Sequence, residues 1–329
     1  MSRPPKEVLR ENLEAHRALV AWRTFQSRRE PAERIEVLRQ HGVTAVYRLV
    51  GAGAESGSVI AKRMPQAKAR PERTMYECVL PHLPVTAPRF YGAFDDDHGP
   101  AADTWLFLED VGSERYSDDR PDHLALAARW VAGLHGSASE IPAARDLPDG
   151  GPGRYHRHLV SAADTLTRRL SGPDLAGADV TLIRGIVDLL HGLAARWSEV
   201  EQLCAGLPPT VVHGDFRPKN VYLRPSGDRL ACYPIDWETA GWGVPAADLT
   251  RIDTAVYWSV ARDWREGLSL AAVLRLAHIG EMFRTIAAID WECAGMHFET
   301  RHMITRPLAS LAVLTPRLSD AAKLTGVPA

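Results

Sequence analysis

The chain has 329 residues, 45% hydrophobic and 24% charged, with a net charge of −2 and a pI of about 6.7. That balance suits a globular protein long enough for two domains, and it supplies no field that would gather nucleic acid or an anionic membrane. The expected partners are small molecules. Cys78, Cys204, Cys232 and Cys293 lie far apart with no CxxC spacing, which argues against a zinc site or a disulfide framework and fits a reduced cytoplasm. The charged start MSRPPKEVLRENLEAH, and the lack of any run of about eighteen apolar residues, predict a chain that is neither secreted nor membrane-spanning.

Residues 5–28 set Val8, Leu9, Leu13, Leu19, Val20, Trp22 and Phe25 among charges in an approximate helical stripe, and 32–40 read as a second short helix after Pro31. Residues 1–42 are thus expected to be a helical extension packed on the chain's own core. Two strand-like runs follow, 45–50 and 58–62, joined by GAGAESG. Glycines such as Gly51 and Gly53 let backbone N–H groups approach phosphates closely, although the same spacing occurs in many ordinary turns. Lys62 ends the second run, and ERTMYECVL offers Glu72 and Glu77 on the next helix.

Residues 89–94 and 104–108 read as strands around an acidic loop in which Asp95, Asp96 and Asp97 make a solvated turn rather than a metal site. From Asp122 the pattern turns helical, with Leu124, Ala127, Ala128, Val131 and Leu134 at helical spacing before His135, which reads as structural. Residues 142–153 read as a loop, and 154–170 and 179–204 as helices. Arg154, His156, Arg157 and His158 form a basic cluster, better read as a solvated face than as a substrate contact. The last helices, 247–265, 268–294 and 306–324, and the residues just beyond them carry Tyr257, Trp258, Trp264, Phe283, Trp291 and Phe298, mainly as core.

The densest chemistry lies in TVVHGDFRPKNVYL and LACYPIDW. Asn220 opens one apolar run and Asp236 closes another, with RPSGD between them, a hairpin pattern. A hairpin brings the start of its first strand beside the end of its second, so the Asn220 amide and the Asp236 carboxylate are expected at one mouth. Asp215 precedes them on the same loop. Magnesium takes one or two carboxylates together with substrate phosphates, so this mouth suits it.

HGDFRPKN followed by IDW resembles the catalytic loop and metal-binding aspartate of kinases. Gly214 and Trp237 make it more similar to the aminoglycoside phosphotransferase and choline kinase family of small-molecule kinases. The resemblance implies an α+β, two-lobed protein-kinase-like fold, with a small antiparallel-sheet lobe at 43–110 that binds nucleotide. A mostly helical large lobe, 111–329, would hold the catalytic loop and the substrate site.

It further implies that Asp215 orients the acceptor hydroxyl, that His213 braces the loop, and that Arg217 and Lys219 lend charge near the transferred group. Asn220 and Asp236 would hold Mg2+. Lys62 would hold nucleotide phosphates with Glu72 as its partner, preferred to Glu77 because it lies four residues before Tyr76. Main-chain groups from Glu109 to Val111 would meet adenine, and Asp248 would support the loop. The donor is ATP, with GTP not excluded, and the acceptor is a small-molecule hydroxyl. An aminoglycoside kinase proper and a nucleotide-binding regulatory member without transfer activity are the alternatives.

Overall fold

The computed structural model describes residues 5–26, 31–54, 57–96, 102–171, 175–205, 208–296 and 301–327. In chain order the first elements are β1 (Glu7–Leu9), α1 (Arg17–Gln26), β2 (Arg34–His41), β3 (Thr44–Val50), β4 (Val59–Pro65), α2 (Gln66–Thr74), β5 (Phe90–Asp96) and β6 (Asp103–Glu109). The six strands form one sheet in the order β1-β2-β3-β4-β6-β5, antiparallel throughout. Alternation along β4 decides the role of each sheet face. Val59 and Ala61 join a core with Leu19 and Trp22 of α1 and with Trp105 and Phe107 of β6, so Lys62 projects from the opposite face, on the side of α2.

This arrangement corrects the helical extension expected for residues 1–42. Of its described residues only Arg17–Gln26 are α-helical, because Asn12 takes a left-handed conformation (φ 54°) just before the single turn Leu13–Ala15. The run expected as a second helix is the strand β2. Its Glu, Arg, Leu and Gln residues favour a helix locally, but Ile35 and Val37 share one face of the sheet and both are buried, so pairing with β3 overrides the propensity. The packing part of the expectation is right, since Ala18, Leu19, Ala21 and Trp22 are buried.

The chain continues through α3 (Pro121–Ser137), α4 (Pro152–Arg169), α5 (Gly177–Ala195), α6 (Trp197–Ala205), β7 (Thr210–Val212), β8 (Val221–Ser226), β9 (Arg229–Pro234) and β10 (Gly241–Gly243). It ends in α7 (Thr254–Ala261), α8 (Leu270–Ala294) and α9 (Arg301–Thr325). The helix expected over 179–204 is two, interrupted at Arg196 (φ −111°). The one expected over 247–265 is a 3-10 turn, Pro245–Leu249, followed by α7, whose start Asp253 caps by accepting from two backbone amides. The loop expected over 142–153 contains the 3-10 segment Pro142–Asp146. Phe298 and Asp97 lie outside the described residues. Among the described residues no helix is long and apolar enough to cross a membrane.

Two compact units result. One comprises Met1–Trp130, Ile141–Leu147 and Phe216–Ala240, and the other Val131–Glu140, Pro148–Asp215 and Gly241–Ala329. The β8–β9 hairpin belongs to the first unit, where Tyr116 and Leu223 exchange backbone bonds with Val221 and Glu114, and the Thr86 hydroxyl donates to the Cys232 carbonyl.

Candidate active site

In the first unit the hairpin forms as expected, with Gly227 (φ +60°) at its turn. The Ile235 amide donates to the Asn220 carbonyl at 2.9 Å, which sets Asn220 beside the residue preceding Asp236. Asp236 is left-handed (φ 69°, ψ 58°), a conformation that Asp adopts more readily than most residues. There its carboxylate meets Lys62: Nζ lies 2.5 Å from Asp236 Oδ1 and 2.5 Å from Glu72 Oε2. Arg39 of β2 stands 3.8 Å from Asp236 Oδ2.

One buried ammonium thus serves a buried and a half-buried carboxylate, and the electrostatics follow. Burial works against the charged Lys62, but Glu72 and Asp236 outweigh it and hold the ammonium above its ordinary value. Burial pushes the Glu72 carboxyl up to about 7, with Lys62 offsetting only part of it and the Asp236 charge adding to it. Burial also acts against Asp236, but Lys62, Arg39 and Lys219 hold its carboxyl down at about 2. Asp236 is therefore the carboxylate that stays charged at neutral pH.

Of the two glutamates offered by the α2 region, Glu72 is the one that pairs with Lys62. Glu77 is exposed and pairs with Arg73 at 2.9 Å on the helix surface. Glu72→Ala removes the charge-assisted hydrogen bond that it accepts from Lys62, worth about 1.5–3 kcal/mol, so it is expected to lower activity at least about tenfold. Glu77→Ala should stay within about twofold, as an exposed pair contributes little. Initial rates of the two variants decide this, and the reverse ranking would remove the pairing from the account.

The glycine-rich loop is more engaged than its sequence suggested. Gly53 N–H donates to the Gly57 carbonyl at 2.9 Å, Gly57 N–H to Ala54 at 3.0 Å, and the Trp22 indole to the Ala52 carbonyl at 3.0 Å. Gly51 has φ +83°, while residues 55 and 56 lie outside the described residues. A cavity of about 300 Å³ beside α1, lined by Trp22, Gln26, Ala52, Gly53, Ala54, Arg89, Phe90 and Tyr91, adjoins this loop without reaching Lys62. At the end of β6 the Glu109 N–H already donates to the Arg89 carbonyl at 2.8 Å, and Val111 is buried.

In the second unit β7 pairs with β10 and leads into His213. Gly214 has φ +76°, which a residue with a Cβ adopts only at a cost, and this turn points successive amides at one acceptor. Asp248 Oδ2 accepts from His213 N–H at 2.6 Å and Oδ1 from Gly214 N–H at 2.9 Å. His135 lies behind it, with Nε2 3.4 Å from Asp248 and Nδ1 3.0 Å from the Tyr257 hydroxyl. The histidine expected to be structural is so placed, and Asp248 braces the loop. Asp215 follows, 6% exposed, its amide donating to His213 Nδ1 at 3.3 Å.

Burial alone would raise the Asp248 carboxyl, but His135, His213 and the amides hold it below its ordinary value. The folded value being the lower one, Asp248 contributes stability above the unfolded value of about 4 and loses it as pH falls through the folded one. Asp248→Ala leaves two buried amides without their acceptor, so it should cost on the order of 3 kcal/mol and lower the thermal midpoint by roughly 5 °C or more. A melt unchanged near neutral pH would contradict the brace.

The basic cluster on α4 separates, because successive helical residues point about 100° apart. Arg157 is exposed and pairs with Asp149, His156 stacks on Trp197, and His158 bonds Asp290 at 2.7 Å. Two residues that the sequence did not single out also stand beside the candidates. They are Arg39, near Asp236, and Arg284 of α8, whose Nη2 is 3.3 Å from Asp215 Oδ1. Both are brought in by long-range packing, and neither sits in a motif.

A magnesium ion carried with nucleotide phosphates fits this donor set, one charged, half-buried carboxylate with an asparagine set beside it. Among the described residues no three His, Cys, Asp or Glu side chains gather where a metal could be held by the protein alone.

A family model described as the phosphotransferase enzyme family matches residues 35–297. The chain belongs to that family. A search of curated proteins gave no match. Among solved structures, this phosphotransferase-family chain is similar to a microcompartment-associated aminopropanol kinase, at 16% identity over 94% of this chain and 98% of that one, with a TM-score of 0.62. It is also similar to the GDP complex of an aminoglycoside 2'-phosphotransferase-IIIa mutant (15%, 90% and 96%, TM-score 0.61). A third is choline kinase from Cryptosporidium parvum Iowa II (12%, 89% and 92%, TM-score 0.55). At these identities the likeness speaks to the fold, which is the α+β protein-kinase-like one expected from the sequence.

Proposed function

We propose that the protein transfers the γ-phosphoryl group of a nucleoside triphosphate to a hydroxyl of a small molecule. The observation that carries this reading is the trio of buried Lys62, buried Glu72 and half-buried Asp236, since withdrawing two carboxylates and one ammonium from water is a poor way to stabilise a fold. It makes sense where phosphates and a cation are to be received.

In this reading residues 43–110 are the nucleotide-binding lobe, and Lys62 holds phosphate oxygens while Glu72 fixes its direction. Asp236 and Asn220 hold Mg2+, which when bound neutralises charge on the phosphates. Gly51 and Gly53 shape the loop over the nucleotide, and the main chain from Glu109 to Val111 meets its base. Asp215 orients the acceptor hydroxyl and takes its proton, His213 braces the loop, and Arg217 adds positive charge beside the transferred group. ATP is the donor, with GTP tested beside it because one similar structure is a GDP complex.

The acceptor is not a polycation. From residue 251 onward nine lysines and arginines face eight aspartates and glutamates, which is no acidic funnel for ammonium groups. An ADP-release assay over hydroxylated metabolites and antibiotics tests the reading. Acceptor-dependent ADP formation is expected, with kanamycin below about 10⁴ M⁻¹s⁻¹ in kcat/KM. No acceptor dependence across the panel would count against transfer, and efficient kanamycin phosphorylation would overturn the acceptor class.

A further inference from the structure

Arg284 is a cation that phosphoryl transfer itself does not require at this place. It stands on α8 four residues after Gly280, where a Cβ would come within 1.9 Å of the Ala246 carbonyl oxygen. Only a glycine lets the helix lie so close to the segment that carries Asp248. Positions four apart share a helix face, so Arg284 emerges toward the loop that Asp248 braces, with 13% of its side chain exposed.

Its contacts are incomplete. A guanidinium that served only to hold Asp215 would fork onto both carboxylate oxygens at about 2.7–2.9 Å. Among the described residues Arg284 instead makes one contact with Asp215, at 3.3 Å, and its other terminal nitrogen, Nη1, is buried without a hydrogen-bond partner. A buried donor in that condition calls for a partner. A second cation lies in the same neighbourhood, because the charges of both Arg154 and Arg284 act on the Tyr155 hydroxyl. The Tyr155 ring stacks on Phe283, the residue before Arg284, at 4.2 Å. The nearby Asp248 carboxylate is already taken by the His213 and Gly214 amides.

We infer that the acceptor is a hydroxy acid whose carboxylate is received by Arg284, with Arg154 adding to the field, while its hydroxyl faces Asp215. This rests on the reading of Asp215 as the group that orients the acceptor. A planar fork matches a carboxylate in shape as well as charge. The same cations would repel an amine.

Matched probes test it by calorimetry on the full chain with magnesium and a non-hydrolysable ATP analogue. One set is 4-(hydroxymethyl)benzoate, its primary amide and 4-(aminomethyl)benzyl alcohol. The other is 4-hydroxybutyrate, its amide and 4-aminobutan-1-ol. In at least one set the acid should bind about tenfold more tightly than the amide, the size of one charge-assisted hydrogen bond, and the amine should bind most weakly. Arg284→Gln should remove the acid preference and leave affinity for the ATP analogue within about twofold, whereas Arg284→Lys should keep the order.

An amine that binds as well as the acid, an acid preference that survives Arg284→Gln, or no acid binding in either set overturns the inference. So does a tenfold loss of nucleotide affinity in Arg284→Gln with the acid preference intact. Phosphoryl transfer is measured separately. Transfer without acid preference removes this inference and leaves the proposed function standing, while acid-selective binding without transfer to any tested acceptor does the reverse.

Discussion

Asp236→Asn is expected to cost on the order of 10² or more in magnesium-dependent nucleotide affinity while the protein stays folded. Removing one unit charge at about 4 Å from a cation in a partly buried site forfeits roughly 4 kcal/mol per unit of the cation's charge, ample for a loss of that size. Asparagine is the informative replacement, because position 236 is left-handed (φ 69°) and Asn tolerates that conformation. Alanine would add strain of about 1–2 kcal/mol. Without the Asp236 charge, Lys62 keeps Glu72 as a one-to-one partner at 2.5 Å, so the buried ammonium is not orphaned. Calorimetry with Mg-ATP checks it, and wild-type affinity in the variant would take the metal role away from Asp236.

Asp215→Asn should lower kcat by about 10² to 10⁴, the range for losing a positioned general base, with the KM for ATP nearly unchanged. The asparagine can still accept from Arg284 through its side-chain oxygen, and its backbone amide can still donate to His213 Nδ1, so the geometry of the His213–Asp215 segment should persist. Thermal melting of the variant separates a chemical loss from a folding one. A kcat within a few-fold of wild type would remove Asp215 from its assigned place.

These two residues were legible because their geometry is local. Gly214 makes HGD a turn whose amides point at one acceptor, and the 221–234 hairpin fixes where Asn220 and Asp236 meet. The preference for Glu72 over Glu77 rests on the resemblance, through the four-residue spacing to Tyr76, since helical pattern alone leaves both open. β2 was not legible: its residues carry helix propensity, and only pairing with β3 and burial of Ile35 and Val37 make it a strand. Arg284 lay deeper still. It lies 69 residues after Asp215 in the chain, and the approach that brings it there depends on the backbone contact at Gly280. The internal bonding of the glycine-rich loop depends in part on the Trp22 indole, a distant residue whose apolar spacing gave no sign of a hydrogen bond.

The most direct test of phosphoryl transfer uses ATP labelled with heavy oxygen in its γ-phosphoryl group. The protein and magnesium are incubated with a small-molecule extract and read by mass spectrometry. The account predicts a hydroxylated compound that gains one labelled phosphoryl group with wild-type protein and does not gain it with Asp215→Asn. Label found only in inorganic phosphate, or a product formed equally by the variant, would contradict it.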